Sequence, residues 1–290
     1  MTIGIGIHYD LPEAEYHAIP AIGYTTLALG RKTMRHMHAA AQGRITKDET
    51  ASMDLGTLFD RAITENGYAD RIVITPDFGD LRRKEGKDKR DAWVAQQPPD
   101  AAIVTAAVGK QLCPMLAAWF AHARLSRVVR SPERKHQVTM VWVDKPTGLL
   151  CKGRIDVLHP QIMLDVKSAR DASPRKWTRD AATYGYFLQA AHYREGYETL
   201  TGKRLPFAFA VVETGGVDIC ELFAVDQSSA DMADLLRRNL LNGYAICQKR
   251  GEFPAYTTGE VNSVIVPNWG FETGEVPHDE QADSEDDTPF

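Results

Sequence analysis

Apolar residues recur along this chain with two distinct periods. Leu55, Leu58, Phe59, Ala62 and Ile63 form one stripe at helical spacing, so residues 50–66 are predicted to be a helix. Residues 24–41 read as an earlier helix, and the alanine-rich stretch 100–126 as a later one, broken by Pro114. The period then changes to two. Residues 136–143 alternate, Lys145-Pro146-Thr147-Gly148 supplies a turn, and strands at 149–158 and 162–168 follow, joined by His159-Pro160-Gln161. A long helix over 175–200, strands at 207–213 and 217–225, and a final helix from 229 to Lys249, stopped by Gly251, complete the pattern. Helices, then a meandering sheet with a helix across it, predict an α/β (α+β) fold: one domain over residues 1–270 with an N-terminal helical elaboration. Residues 8–23 read as irregular and turn-rich. Residues 82–90 hold six basic residues around Gly86 and are expected to form a loop, either solvated or meeting phosphates.

The strand pattern carries the candidate chemistry. Asp165 and Lys167 are two residues apart and share one strand face, while Ile162, Leu164 and Val166 feed a core from the other. On the preceding strand Leu150, Lys152, Arg154 and Asp156 are expected on one face, and Cys151, Ile155 and Val157 on the other. Folding the hairpin brings Asp156 towards Asp165 and Lys167. Paired carboxylates suit a hard cation such as Mg²⁺, which takes oxygen ligands and leaves room for water and phosphate. A neighbouring lysine suits charge building on a phosphate. The bland alternative is a pair of strands with charged, solvated faces. On the helix at 175–200, Tyr186, Gln189 and Tyr193 stand at i, i+3 and i+7, a stripe fit for packing or for stacking on unpaired bases.

Composition narrows the field. Hydrophobic and charged fractions of 43% and 25% suit an ordinary globular protein. No apolar run approaches the ~18 residues of a membrane span. Cys113, Cys151, Cys220 and Cys247 form no CxxC pair, which argues against zinc or iron–sulfur centres and suits a reducing cytoplasm. There is no phosphate loop with a following lysine and no Gly-x-Ser-x-Gly elbow, and His36 and His38 lack metal-ligand spacing. The net charge of −5 is misleading, because residues 271–290 hold eight acids and no Lys or Arg; without them 34 basic residues face 31 acidic ones, or +3. The body is mildly basic, and the acidic tail is expected to be disordered.

Taken in order, these residues resemble the PD-(D/E)xK nuclease superfamily, and within it the RecE-type exonucleases (exonuclease VIII) of phages and prophages. The likeness rests on Tyr9-Asp10-Leu11-Pro12 with Tyr16-His17, Leu55-Gly56-Thr57, Arg82-Arg83 with Gly86-Lys87, and the run from Thr147 to Asp156. It continues through Asp165-Val166-Lys167, then Gln189 to Tyr193 with Gly196-Tyr197, and covers about residues 5–255. The resemblance implies a restriction-endonuclease-like core, a mixed central sheet flanked by helices. It implies a Mg²⁺-dependent 5′-to-3′ exonuclease on double-stranded DNA ends, with two ions, Mn²⁺ as a substitute, a ring-shaped homotetramer, and a phage single-strand annealing protein as partner. It implies Asp156, Asp165 and the Val166 carbonyl as metal ligands, Lys167 as the residue that activates or positions water, and Gln189 as support. Arg154, Lys152, Tyr193, Tyr186, Arg82, Arg83 and Lys87 are candidate DNA contacts. Two departures stand out. Asp60 occupies the position of a family histidine, as a substituted ligand or as the mark of a weakened second site. Gln137 stands where relatives often place a glutamate. Alternatives are another nuclease of the superfamily acting on single strands, or a weakened member that binds DNA or a partner.

Overall fold

The computed structural model describes residues 3–45, 51–65, 67–257, 261, 263–267 and 271, without the side chains of 51–54. The chain divides into two units, Met1–Tyr256 and Thr257–Phe290, and every element named below lies in the first. In the second, Val261, Val264, Ile265 and Phe271 are exposed. The tail expected over 271–290 lies, Phe271 apart, outside the described residues. No helix among the described residues is long and apolar enough to cross a membrane.

The chain opens with β1 (Gly6–His8), then α1 (Glu13–Ala18), α2 (Tyr24–Leu29), α3 (Met34–Ala41) and α4 (Ala51–Thr64). A short parallel pair, β2 (Ile72–Ile74) and β3 (Ala102–Val104), brackets α5 (Lys84–Val94). Helices α6 (Ala106–Ala121) and α7 (Leu125–Val129) lead into β4 (Lys135–Asp144), β5 (Leu149–His159) and β6 (Ile162–Ala169). Then come α8 (Pro174–Tyr184), α9 (Tyr186–Thr201), β7 (Phe207–Glu213), β8 (Cys220–Ala224) and α10 (Gln227–Arg250). The main sheet has six strands in the order β1-β4-β5-β6-β7-β8. All neighbours are antiparallel except β6 and β7. A parallel pair needs a long crossover, and α8 with α9 supplies it.

The sheet separates two cores. On one side Met140, Trp142, Ile155, Met163, Phe207, Phe209 and Val211 meet Leu27, Met37, Leu188 and Leu240 of the flanking helices. On the other, Val157, Leu164, Ala208, Ala210 and Val212 meet Phe59, Leu112, Met115, Trp119 and Leu125. Strand β7 turns Phe207 and Phe209 into the first core and Ala208 and Ala210 into the second, which lets α6 approach its second face. Each large apolar side chain so buried contributes roughly 1.5–3 kcal/mol.

Several sequence expectations need correction. The helix expected over 24–41 is two helices, divided at residues 30–33, where Gly30 packs against Met37 and Leu240. The one over 175–200 is also two, divided at Gly185, which takes a left-handed φ of 75°. Residues 82–90 are not a loop: most lie in α5, whose Gly86 is buried against the Asp80 carbonyl so closely that a Cβ would come to 2.6 Å. Pro114 does not break α6. The proline leaves the Lys110 carbonyl without its helical donor.

Helix α9 is buried on nearly every side. It crosses the sheet closely because Gly196 lies on Trp142 and Gly153 of β5 lies under the Tyr193 ring; Cβ atoms would come to 2.7 and 2.9 Å of those rings. Gly196→Ala gains helix propensity but forces the helix off a fully buried tryptophan. It is expected to lose about 1–3 kcal/mol net, read as a lower midpoint in urea unfolding with unchanged slope.

Candidate active site

Strands β5 and β6 pair only over Val157–His159 with Ile162–Leu164. Beyond that point they part, and the Asp156 carboxylate replaces the missing ladder: its Oδ2 accepts from the Val166 amide at 2.8 Å. The strand alternation also slips here. Ile155 belongs to one core and Val157 to the other, although strict alternation put them on one face. On β4, Gln137 is the residue opposite, omitted from a ladder that runs His136↔Val157 and then Val138↔Ile155. Its φ is 49°, a left-handed value uncommon outside glycine. Both strands are therefore distorted at the Gln137–Asp156 position, where a regular sheet would turn Asp156 elsewhere.

The structure brings Asp156, Asp165, Lys167, Gln189 and Asp60 together. The Lys167 ammonium donates to Asp165 Oδ2, and Gln189 Nε2 donates to Asp165 Oδ1 at 2.5 Å. The Tyr186 ring lies 5.1 Å from Lys167 Nζ. Asp60 comes from α4, which approaches β6 because Gly56, one turn earlier, leaves room beside Ser168. Gln137 Nε2 donates to Asp60 Oδ2 at 2.9 Å and receives Arg154 Nε on its Oε1 at 2.7 Å. Gln137 thus acts as a positioning residue for Asp60. The hairpin turn at residues 145–148 fixes its place opposite Asp156, so the register contained this signal.

The electrostatics are those of crowded anions. Burial, then the neighbouring Asp165, pushes Asp60 up to about 7. Burial, then Asp165 and Asp60, holds Asp156 well above the carboxylate range. Burial also raises Asp165 despite its ion pair with Lys167. Burial opposes charge on Lys167, yet Asp165 and Asp156 outweigh it and hold the ammonium above its ordinary value. Asp60 Oδ1 and Gln189 Oε1 are buried without a hydrogen-bond partner among the described residues.

That donor set fits a hard divalent cation. Among the described residues no three His, Cys, Asp or Glu side chains form a ready-made cage. Mg²⁺ does not need one: it is commonly held by one or two carboxylates, waters and substrate phosphate. Asp156 and Asp165, with the Val166 carbonyl, would hold such an ion, and its charge would offset the carboxylate excess to which Asp60 adds.

The expected DNA contacts divide. Lys152 is only 9% exposed, and its ammonium donates to the carbonyls of Tyr16, His17 and Ile19 at 2.8–3.1 Å. Tyr193, at 6%, is packed on Gly153 and Phe207. Neither can reach a nucleic acid, because both complete the interior. Arg154 is half-buried and directed at Gln137 and the Leu11 carbonyl. Tyr186 is stacked on Trp177. Arg82 and Arg83 are exposed and pair with Asp80, and Lys87 is exposed on α5; among the described residues no hydrogen bond or ion pair joins them to Asp60, Asp156 or Asp165.

A model of a PDDEXK-like domain of unknown function, DUF3799, matches residues 25–266. The chain belongs to this family. A solved structure from Eubacterium rectale named "putative exonuclease" has a similar fold. That protein is 16% identical with a TM-score of 0.58, over 92% of this chain and 100% of the other. A second solved structure, SSO0001, is 12% identical with a TM-score of 0.28, over 75% and 85% of the two chains. No curated protein matches.

A carboxyl whose folded pKa is raised stabilises below its unfolded pKa and loses that contribution as pH climbs through the folded value. For Asp60 the window runs from the ordinary carboxylate range to about 7, with an upper bound of about 4 kcal/mol. In EDTA at pH 8, Asp60→Asn is therefore expected to melt several degrees above the wild type, with the gap closing by pH 4. Mg²⁺ should raise the wild-type Tm more at pH 8 than at pH 5. Differential scanning fluorimetry reads both.

Proposed function

We propose that this PDDEXK-like protein is a Mg²⁺-dependent exonuclease that resects double-stranded DNA ends 5′ to 3′, leaving 3′ single strands for annealing-type recombination. The observation that carries the reading is the convergence of Asp156, Asp165, Lys167 and Gln189 where β5 and β6 part, with Asp60 presented from α4. The order of these residues along the chain agrees with the RecE-type pattern, and the similar fold from Eubacterium rectale carries an exonuclease name. The resemblance further suggests two ions, with Mn²⁺ able to substitute, a ring tetramer around DNA, and a phage annealing protein that loads on the exposed strand.

Bound at the carboxylates, Mg²⁺ would supply Lewis-acid polarisation of the phosphodiester and a more acidic water. The chain's own residues do the rest. Gln189 fixes the rotamer of Asp165, and Gln137 fixes that of Asp60. Lys167, kept protonated by its carboxylate neighbours, puts positive charge beside the phosphate where negative charge accumulates. It serves as a cation and an orienting donor, since a protonated amine cannot accept a proton from water. The two cores behind β5 and β6 keep Asp156, Asp165 and Lys167 on rigid strands, which limits reorganisation during the reaction.

A linear duplex labelled separately at its 5′ and 3′ ends, beside a closed circle, tests this. Rapid release of the 5′ label with Mg²⁺ or Mn²⁺, an intact circle and silence in EDTA are expected. Release of the 3′ label first, or cleavage confined to single strands, would move the protein to another branch of the superfamily. Binding without cleavage would indicate a DNA- or partner-binding role. Asp165→Ala should abolish cleavage while DNA binding persists, and Lys167→Ala should lose about a hundredfold in rate or more.

A further inference from the structure

Helix α8 directly follows the catalytic strand. Its Trp177, Ala181 and Tyr184 stand at i, i+4 and i+7 and so share one face. Trp177 is buried and stacks on Tyr186 and Phe223, and Ala181 packs on the same core. Tyr184 is where that face runs past the core, and it is 59% exposed. Its ring centroid lies 5.6 Å from that of Tyr186, whose ring in turn lies over Lys167. An exposed aromatic therefore stands two ring contacts from the catalytic lysine.

The backbone that presents this ring is firmly held. Tyr24 Oη donates to the Tyr184 carbonyl at 2.7 Å, and the Arg31 guanidinium donates to the Ala182 and Thr183 carbonyls at 2.9 and 3.5 Å. Gly185 turns the chain in the left-handed region, where a Cβ would come to 2.4 Å of Arg31. The helix carbonyls are tied down while the ring is left outside. The same segment is basic: Arg170, Arg175, Lys176 and Arg179 face only Asp171 and Asp180. Lys176 pairs with Asp180, whereas the exposed guanidinium groups of Arg170, Arg175 and Arg179 make no ion pair among the described residues.

We propose that Tyr184 is a base-stacking residue at the mouth of the active site, holding an unpaired base of the DNA strand. A rigid, exposed ring accepts any base face without reading sequence. This inference rests on the nuclease reading and adds the surface that guides the strand.

The test is anisotropy of a fluorescent single-stranded oligonucleotide in EDTA, beside quenching of 2-aminopurine placed at its end. Tyr184→Ala is expected to weaken binding roughly tenfold and to abolish quenching, with an unchanged melting temperature. Tyr184→Phe should restore both, because stacking needs the ring alone. The salt dependence of binding should be the same for Tyr184→Ala as for wild type, because the ring carries no charge. Equal affinity and quenching in wild type and Tyr184→Ala overturn the inference, as does a lack of binding by the wild type. Absence of metal-dependent cleavage by the wild type instead overturns the nuclease reading, since the binding assay is free of metal and of chemistry.

Discussion

A sheet normally satisfies its amides with the strand beside them. At Val166 the partner is instead a side chain, the Asp156 carboxylate, and the rest of the site depends on that exchange. It lets β5 and β6 part without leaving a buried amide unpaired, an omission that costs about 1–3 kcal/mol. The gap it opens receives Asp165 and Lys167 from one strand, Asp60 from α4 and Gln189 from α9. The same carboxylate is held above its usual pKa by burial and by Asp165 and Asp60, so one group serves both as backbone cap and as part of an anionic cluster. Its two oxygens make this possible.

The two basic side chains on β5 show the same economy in a structural role. Lys152 gathers three carbonyls from residues 16–19, and Arg154 takes that of Leu11. Together they fasten the N-terminal segment across the sheet. Burial lowers the Lys152 ammonium to about 8, while its three carbonyl acceptors favour the charged form. The residues Tyr9 to His17 that look like a family signature are thus the far side of a clamp, and the clamp ends, through Arg154 and Gln137, on Asp60.

Strand and helix identities were largely legible because apolar periods are a local property. The face shared by Asp165 and Lys167 followed from a period of two, and Gln189 followed from its distance along the helix. What was not legible depended on contacts between distant segments. Strict alternation placed Ile155 and Val157 on one face because nothing local announces the distortion at Gln137. Lys152 and Tyr193 looked like ligands for nucleic acid because a sequence does not show that residues 16–19 cover one and that Gly153 underlies the other. The break at Gly185 is readable in principle from a glycine within a helical pattern, and it sets the exposed position of Tyr184 at the end of α8.

The parallel pairing of β6 with β7 has a consequence for synthesis. Strand β6 ends at Ala169 and β7 is complete only at Glu213. Its free edge must therefore wait while about 40 further residues are translated, a few seconds at about 5–20 residues per second. During that interval Asp156, Asp165 and Lys167 have all been synthesised, but the strand that carries two of them has no neighbour on one side. Gln189 is added within the same stretch, ahead of β7. The strand that carries Asp165 and Lys167 is therefore flanked on both sides only once β7 is in place, and a truncated chain ending before β7 would carry the motif without that neighbour.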